Sequence, residues 1–596
     1  MKSTDAIRLG GWHQFNPKVA FMQSPENLLK TLEAKFQLHG FRTGQLEVIQ
    51  AILSGSDVLC LMPTGYGKSL CYQLAALLLD GITVVVSPLV ALMKDQVDSL
   101  HRRGFQEATF INSSLTIAEQ QERLQLLQSG KFKLIYISPE RFRSHAFLRA
   151  LNAVSIQLFV VDEAHCISQW GHDFRPDYLS LQESISELGH PLVAAFTATA
   201  TREVRDDIKK QLDIQSAREF VHSVARESLE FFVFPVSNDE EKLMWIQHLV
   251  QSIKGTGIIY CGRRRECEQI NEFLQSIGMK SEYFHAGRAE RDKKNIQERF
   301  MNDRHPKAVD VIASTNAFGL GVDKANIRFI IHSAIPGTVE EYFQEAGRSG
   351  RDGKRSYCIL LYTYDDRSLQ EWFIENSLVS REELIEIYEA IDSSSEVENF
   401  RVVKYDEIFW FVDLDETKIR VGISHLERLG MVRRLPDVDS KIAIGRMLND
   451  DAAALEKLSH GIHQEKLRII KAILEAIRQH ETLDLPEFCN SHKFNPMSVF
   501  ETLYDLEFEG IINLRRSKRA MLFKIEKPVQ ALRKLRLKEL GLEEYREHRY
   551  HKLEQMLNYA EIKKCRVRYI REYFGEKVAE DCGRCDNCRI KKGWQP

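Results

Sequence analysis

Short, apolar, β-branched runs alternate with longer amphipathic stretches through the first part of the chain. Runs at 58–62, 83–87, 133–137, 158–161 and 192–196 are almost continuously apolar. Continuous rather than alternating hydrophobicity marks strands buried on both faces. Helical-period stretches separate these runs, so the pattern predicts βαβ units and a doubly wound parallel sheet. A second set of the same kind occupies about 225–365, with strands expected at 257–261, 309–314, 328–332 and 356–362. The predicted class is α/β with two such lobes.

Past residue 365 the pattern changes to amphipathic helices with short strands, and it carries a weak repeat. Ile419, Ile423, Leu426, Gly430 and Val432 match Val499, Leu503, Leu506, Gly510 and Ile512 at an offset of 80 residues. Each copy reads as a helix, a glycine cap and a strand, the second half of a winged-helix unit. The first copy's expected turn is LPDVDS (435–440), with two aspartates. The second is RRSKRA (515–520), whose Arg515, Arg516, Lys518 and Arg519 suit backbone phosphates.

A chain of 596 residues should form three or four domains, and a hydrophobic fraction of 43% fills several cores. No apolar stretch is long enough to span a bilayer, and the first residues lack the apolar core of a signal peptide. The expectation is a soluble, cytoplasmic protein with no membrane partner. A net charge of -3 gives no overall basic field, so an anionic partner must meet local patches. One patch lies at 511–571, with 18 Lys/Arg against 7 Glu and no Asp. Seven cysteines are scattered through apolar segments as core thiols, whereas Cys565, Cys582, Cys585 and Cys588 crowd the C-terminal end. Overlapping C-x-x-C steps read as a closed, structural zinc site.

The candidate chemistry follows the predicted strands. The first ends in MPTGYGKS (62–69), in which Thr64, Gly65 and Gly67 shape a phosphate-binding loop. Lys68 would reach the β- and γ-phosphates of ATP, and Ser69 would ligate magnesium. The strand at 158–161 runs into Asp162 and Glu163. Asp162 would hold the magnesium through its water shell, and Glu163 would orient the attacking water. Behind them, Trp170, His172, Phe174, Arg175 and Tyr178 set planar side chains beside the ATPase centre. Such a loop lets nucleic acid switch on hydrolysis. The second lobe offers QEAGRSGRDG (344–353), with Arg348 and Arg351 as arginine-finger candidates.

Taken together, FRTGQ (41–45), MPTGYGKS, SPLVALMKDQ (87–96), DEAHCISQWGHDFRP (162–176), FTATA (196–200), IIYCGRR (258–264), AFGLGVDKANIRFIIH (317–332) and QEAGRSGRDG resemble the RecQ family of superfamily 2 DNA helicases. The resemblance covers roughly 30–365 in the family's order. It implies two RecA-like lobes, ATP-driven 3′→5′ movement on single-stranded DNA, and duplex unwinding in repair or recombination. It also implies that Gln45 reads the adenine edge, with Phe41 and Arg42 beside the base. Trp170, His172, Phe174 and Arg175 would couple DNA to hydrolysis. Where the family places an aromatic residue to stack on adenine, this chain has Leu38.

In the family, a helical hairpin and a zinc cluster follow the second lobe directly; here about 160 residues intervene. The expected organisation is a tail at 1–22, lobes at 23–222 and 223–365, a first hairpin arm at 366–380, inserted winged units at 381–540, and the second arm with the zinc cluster at 541–596. Expected partners are single-stranded and forked DNA and other repair proteins, with the chain a monomer, nucleoid-associated if bacterial. Two alternatives remain at this point: a translocase that unwinds little, and a non-enzymatic, ATP-switched DNA-binding protein.

Overall fold

A computed structural model describes residues 24–594, apart from 113, 116, 144, 172, 320–321, 323, 398, 405–407, 410, 447–463, 480–481 and 509–510. The first lobe is a seven-stranded sheet of β1 (Val58–Leu61), β2 (Ile82–Val86), β3 (Ala108–Ile111), β4 (Leu134–Ile137), β5 (Ile156–Asp162), β6 (Leu192–Thr197) and β7 (Arg218–Val221). Its order is β3-β4-β2-β5-β6-β1-β7 and every pairing is parallel. β1 and β2 are buried along their whole length, as continuous apolar runs require, and a separate hydrophobic core covers each face.

The second lobe has six parallel strands: β8 (Leu229–Pro235), β9 (Thr256–Tyr260), β10 (Ser281–Phe284), β11 (Val311–Ser314), β12 (Ile327–His332) and β13 (Ser356–Tyr362). The order is β10-β11-β9-β12-β13-β8. Four strands, β3, β7, β8 and β10, are additions to the sequence reading, and all four are sheet edges. β7 is largely exposed and the middle of β10 is half-buried, so a sequence such as Arg218-Glu219-Phe220-Val221 need not be continuously apolar, whereas β3 and β8 are buried.

The helices that position the site are α1 (Lys68–Leu78), α2 (Val339–Ala346), α3 (Asp365–Ser377), α4 (Glu416–Arg428), α5 (Pro496–Phe508) and α6 (Leu542–Glu561). α3 and α6 lie antiparallel. Arg367 reaches Glu554 at 2.5 Å, while Arg546 and the Tyr550 hydroxyl reach Glu375, each at 2.7 Å. These exposed pairs contribute little individually but mark the register. Leu553, Met556 and Leu557 of α6 share one core with Val339, Tyr342 and Phe343 of α2, and that core also takes in Cys565, Cys585 and Cys588. The cysteine module is thereby fused to the second lobe.

Between α3 and α6 lies a third, five-stranded sheet: β14 (Ser395–Val397), β15 (Phe400–Lys404), β16 (Val432–Arg446), β17 (Thr482–Asp484) and β18 (Ile512–Ile525), in the order β14-β15-β18-β16-β17. The repeat's matched positions on α4 and α5 are buried: Ile419, Ile423 and Leu426 in one core, Val499, Leu503 and Leu506 in another. The expected turns do not form. Residues 435–440 lie inside β16 and residues 515–520 inside β18, and the two strands pair antiparallel from Val432–Ile525 to Arg446–Ile512. Each strand thus finds its partner in the other copy instead of folding back on itself. The repeat-equivalent Val432 and Ile512 sit at opposite ends of the ladder, which relates the copies by an approximate two-fold axis. A cross-copy ladder satisfies backbone groups of both strands over a longer span than two separate hairpins, with three shifts of register along it. The shifts between Leu435/Val438, Asp439/Lys441 and Lys441/Ile442 are what remain of the turn.

Candidate active site and nucleic-acid cleft

The phosphate loop lies between β1 and α1. Gly65 and Gly67 have φ of +80° and +84°, a left-handed backbone that glycine adopts at no steric cost. Gly67 also caps α1, whose N-terminus presents Lys68 and Ser69 with the positive end of the helix dipole. The loop is braced from behind. Buried Gln45 donates from Nε2 to the Tyr66 and Gly67 carbonyls (3.0 and 3.1 Å), and its Oε1 accepts the Arg42 N–H at 2.8 Å. Arg42 also donates to the Gly65 carbonyl. Gln45 therefore shapes the loop. Phe41 packs on the first-lobe core, and Leu38 is 40% exposed.

Asp162 ends β5 and Glu163 begins the turn after it, with φ +48° and ψ +48°. A non-glycine residue held there costs about 1–3 kcal/mol and persists only where its surroundings fix it. Here they do. Glu163 Oε1 lies 3.4 Å from Lys68 Nζ, and Oε2 lies 3.4 Å from His165 Nδ1, which is 2.9 Å from the Thr197 hydroxyl at the end of β6. Burial, together with the Glu163 charge, pushes the Asp162 carboxyl up to about 7, against the pull of Lys68. A buried carboxylate with a half-buried one beside it, next to a loop of backbone N–H groups, is a donor set that fits a divalent cation bound with a nucleotide.

Across the gap, α2 ends at a turn clamped by Arg226, which donates to the carbonyls of Gly347, Ser349 and Gly350 at 2.5, 2.9 and 2.7 Å. The sequence reading missed Arg226, since an isolated arginine in a loop carries no signal. The two arginines of the turn have different settings. Buried Arg348 donates to the Gly319 carbonyl of its own lobe. Arg351 lies against the phosphate loop, and a Cβ on Gly65 would come within 3.2 Å of its Cγ. The Thr64 hydroxyl donates to the Gly347 carbonyl at 3.3 Å. The lobes meet where phosphate and arginine should meet.

The segment after Glu163 divides its aromatic side chains between two places. Trp170 lines a cleft of about 820 Å³ between the lobes and α6, with its ring centroid 4.8 Å from that of His548. Phe174 instead lines a separate pocket, facing Val421 and His425 of α4 and Leu542 and Tyr545 of α6. Arg428 of α4 donates to Gln169 in the same loop. Arg175 ties the loop to the Pro88 carbonyl at 3.1 Å and pairs with Asp173 at 3.1 Å. The Tyr178 hydroxyl donates to the Asp162 carbonyl at 3.1 Å, so it is a strut rather than a stacking surface. His172 lies outside the described residues, as do the side chains of Arg515, Arg516, Lys518 and Arg519.

The ligand sulfurs of Cys565, Cys582, Cys585 and Cys588 all lie within 4.8 Å of one another. Backbone N–H groups of Arg566, Arg568, Cys582 and Arg584 point at the sulfurs from 3.2 to 3.5 Å. Hydrogen bonds from the Cys582 and Cys585 thiols, helped by the backbone N–H groups of Cys582 and Arg568, hold Cys565 well below the ordinary thiol range. Four convergent sulfurs fit tetrahedral zinc with no open position. Arg566 and Asp586 form a buried ion pair next to two of these cysteines.

Three family models match: DEAD/DEAH box helicase at 42–207, Helicase conserved C-terminal domain at 241–353, and RecQ zinc-binding at 527–589. The chain is 41% identical over 376 residues to "Probable ATP-dependent DNA helicase RecS" of Bacillus subtilis, covering 63% of this chain and 75% of that one. It is 45% identical over 345 residues to ATP-dependent DNA helicase RecQ of the same organism, covering 57% of each. Against ATP-dependent DNA helicase Q5 of Mus musculus it is 41% identical over 372 residues, covering 59% of this chain and 37% of that one. With a phosphate loop and carboxylate pair in one lobe, an arginine turn in the next, and a four-cysteine cluster fused to the second lobe, the chain belongs to the RecQ family of ATP-dependent DNA helicases.

Proposed function

We propose that this protein couples ATP hydrolysis to 3′→5′ movement along single-stranded DNA and to unwinding of the duplex ahead, in repair or recombination. One observation carries the reading. The short segment that holds Glu163 against Lys68 also places Trp170 in the cleft between the lobes. A strand bound in the cleft thus acts directly on the turn that aims the catalytic carboxylate.

In this reading Lys68 and the N-terminus of α1 neutralise the phosphates, and Gln45, Arg42 and Phe41 border the adenine. Ser69 and Asp162 would hold magnesium, which supplies charge neutralisation at the transferring phosphoryl group. Glu163 orients the attacking water, with His165 fixing its carboxylate. Arg351 reaches the phosphates from the second lobe, while Arg348 holds the turn that carries it. Cys565, Cys582, Cys585 and Cys588 would hold zinc, which would fix the cluster that shares its core with α6 and the second lobe. The basic stretch of β18 would contact duplex phosphates at a fork. Replacing Arg515, Arg516, Lys518 and Arg519 with Gln should then lower the log–log salt slope of fork binding by about 0.9 per lost contact. An unchanged slope refutes that role.

The test of the whole reading is strand displacement on duplexes with a 3′ or a 5′ tail, with Lys68→Ala as control. ATP-dependent displacement from the 3′ tail alone is the expected result. DNA-stimulated hydrolysis with no displacement would instead identify a translocase, and hydrolysis indifferent to DNA would refute the coupling.

A further inference from the structure

The far wall of the cleft carries two large aromatic side chains that the reading above does not use. Trp372 and Phe373 of α3 are 59% and 38% exposed, with ring centroids 5.3 Å apart, and both line the cleft that Trp170 lines. Their helix is fixed to the second lobe. Gln370 donates to the Ile335 carbonyl at 2.6 Å, Leu369 packs so closely on Gly262 that a Cβ there would come within 2.6 Å, and buried Asp366 lies 3.7 Å from Lys242. Exposure therefore does not come from a loose helix. A rigid mount holds an indole out into the cleft, against the usual gain from burying it.

The charges around the cleft indicate the occupant. Exposed Arg263 and Arg264 line it from the second lobe and Arg549 from α6. Its carboxylates are already engaged: Glu340 with Lys552 and the Tyr573 hydroxyl (2.5 and 2.6 Å), Glu341 with the Gly337 N–H (3.1 Å), and Glu345 with His332 (2.8 Å). Aromatic faces among exposed arginines suit an unpaired nucleic-acid strand, whose bases stack and whose phosphates are anionic. An apolar protein segment would leave those arginines uncompensated.

We infer that Trp372, with Phe373 behind it, is a base-stacking platform of the second lobe, so that a single strand is held at Trp170 by one lobe and at Trp372 by the other. This rests on the reading of the cleft as the path of the strand. A strand held at one stacking point only would slip more readily, so losing the platform should lower both affinity and the base pairs unwound per ATP.

The test uses the full, zinc-loaded chain with Trp372→Ala, Trp372→Phe and Trp170→Ala. A fluorescent oligo-dT titration gives affinity, and parallel assays give base pairs unwound per ATP consumed. Loss of one stacking base should weaken binding roughly 5- to 100-fold. Trp372→Ala should show this loss and unwind fewer base pairs per ATP, while Trp372→Phe recovers most of both. Unchanged thermal melting and zinc content exclude misfolding, as expected for so exposed a side chain. Trp372→Ala within twofold of the parent, with Trp170→Ala impaired, overturns the platform and leaves the cleft reading standing. Both variants within twofold of the parent overturn the cleft reading and the platform with it. Loss in Trp372→Ala without rescue by Phe also overturns the platform.

Discussion

Replacing Asp586 with Asn tests how the cysteine cluster is tied to the motor. Arg566 and Asp586 are 5% and 3% exposed and meet at 3.1 Å through both Nε–Oδ1 and Nη2–Oδ2. Asp586 Oδ2 also accepts the Val233 N–H of β8 at 2.9 Å, and Arg566 donates to the Tyr559 and Ala560 carbonyls of α6. The pair therefore joins the cysteine cluster, the hairpin arm and the second-lobe sheet. Asn keeps the shape and one acceptor but leaves the guanidinium charge buried and uncompensated. Breaking a buried pair this way costs about 3–5 kcal/mol, and the retained acceptor places Asp586→Asn near 3. Zinc binding and local folding are linked, and each 1.4 kcal/mol is tenfold, so zinc retention should weaken on the order of 100-fold. Competition of the full chain against a chromophoric chelator measures it directly. Adding Arg566→Met to the variant removes the stranded charge and should recover part of the loss. Zinc retention within threefold of the parent, or no recovery in the double variant, would refute the reasoning.

Lys68→Ala and Glu163→Gln should each abolish phosphate release while leaving DNA binding within a few-fold in a filter or anisotropy assay. Arg351→Ala should cost roughly 10³ in DNA-stimulated turnover with unchanged melting, whereas Arg348→Ala should lower the melting temperature through the lost Gly319 bond; a stopped ATPase assay and a thermal scan separate them. Trp170→Ala should reduce DNA stimulation, while Phe174→Ala should first loosen the seat of α4, read as increased proteolysis between the second lobe and α6. Burial pushes the Glu345 carboxyl up to about 8, with Arg348 pulling it down, and holds neighbouring His332 down to about 3. The stability from protonated Glu345 is thus present below the ordinary carboxylate range and lost as pH rises through about 8. Glu345→Gln should flatten melting temperature against pH across that window, and an unchanged slope would contradict the assignment.

The chemistry-bearing residues were readable because their types and spacing are dictated locally. A strand that ends in two carboxylates, a loop of small residues before a helix, and cysteines at C-x-x-C spacing each need only a few neighbouring positions. Other assignments depend on partners far along the chain. Arg348 and Arg351 look alike in QEAGRSGRDG, yet Gly319 and Gly65 decide which one faces the nucleotide loop. Trp170 and Phe174 look alike in one aromatic run, and the insertion decides between them: α4 takes Phe174, and the cleft keeps Trp170.

By itself, then, the sequence determined the central strands of both sheets, the glycine-rich loop and carboxylate pair at their ends, and the existence of a repeat between 380 and 540. Each of these is written in a hydrophobic period or a short spacing. Only the tertiary structure decided the edges β3, β7, β8 and β10; of these, β7 and β10 are incompletely covered, which relaxes the apolar requirement there. It also decided the fate of the two expected turns. LPDVDS and RRSKRA are compatible with a hairpin tip or with a strand, and no local rule chooses between them. The choice fell to the pairing of β16 with β18 across the two copies, because backbone groups far apart along the chain, from Val432–Ile525 to Arg446–Ile512, satisfy one another in that ladder.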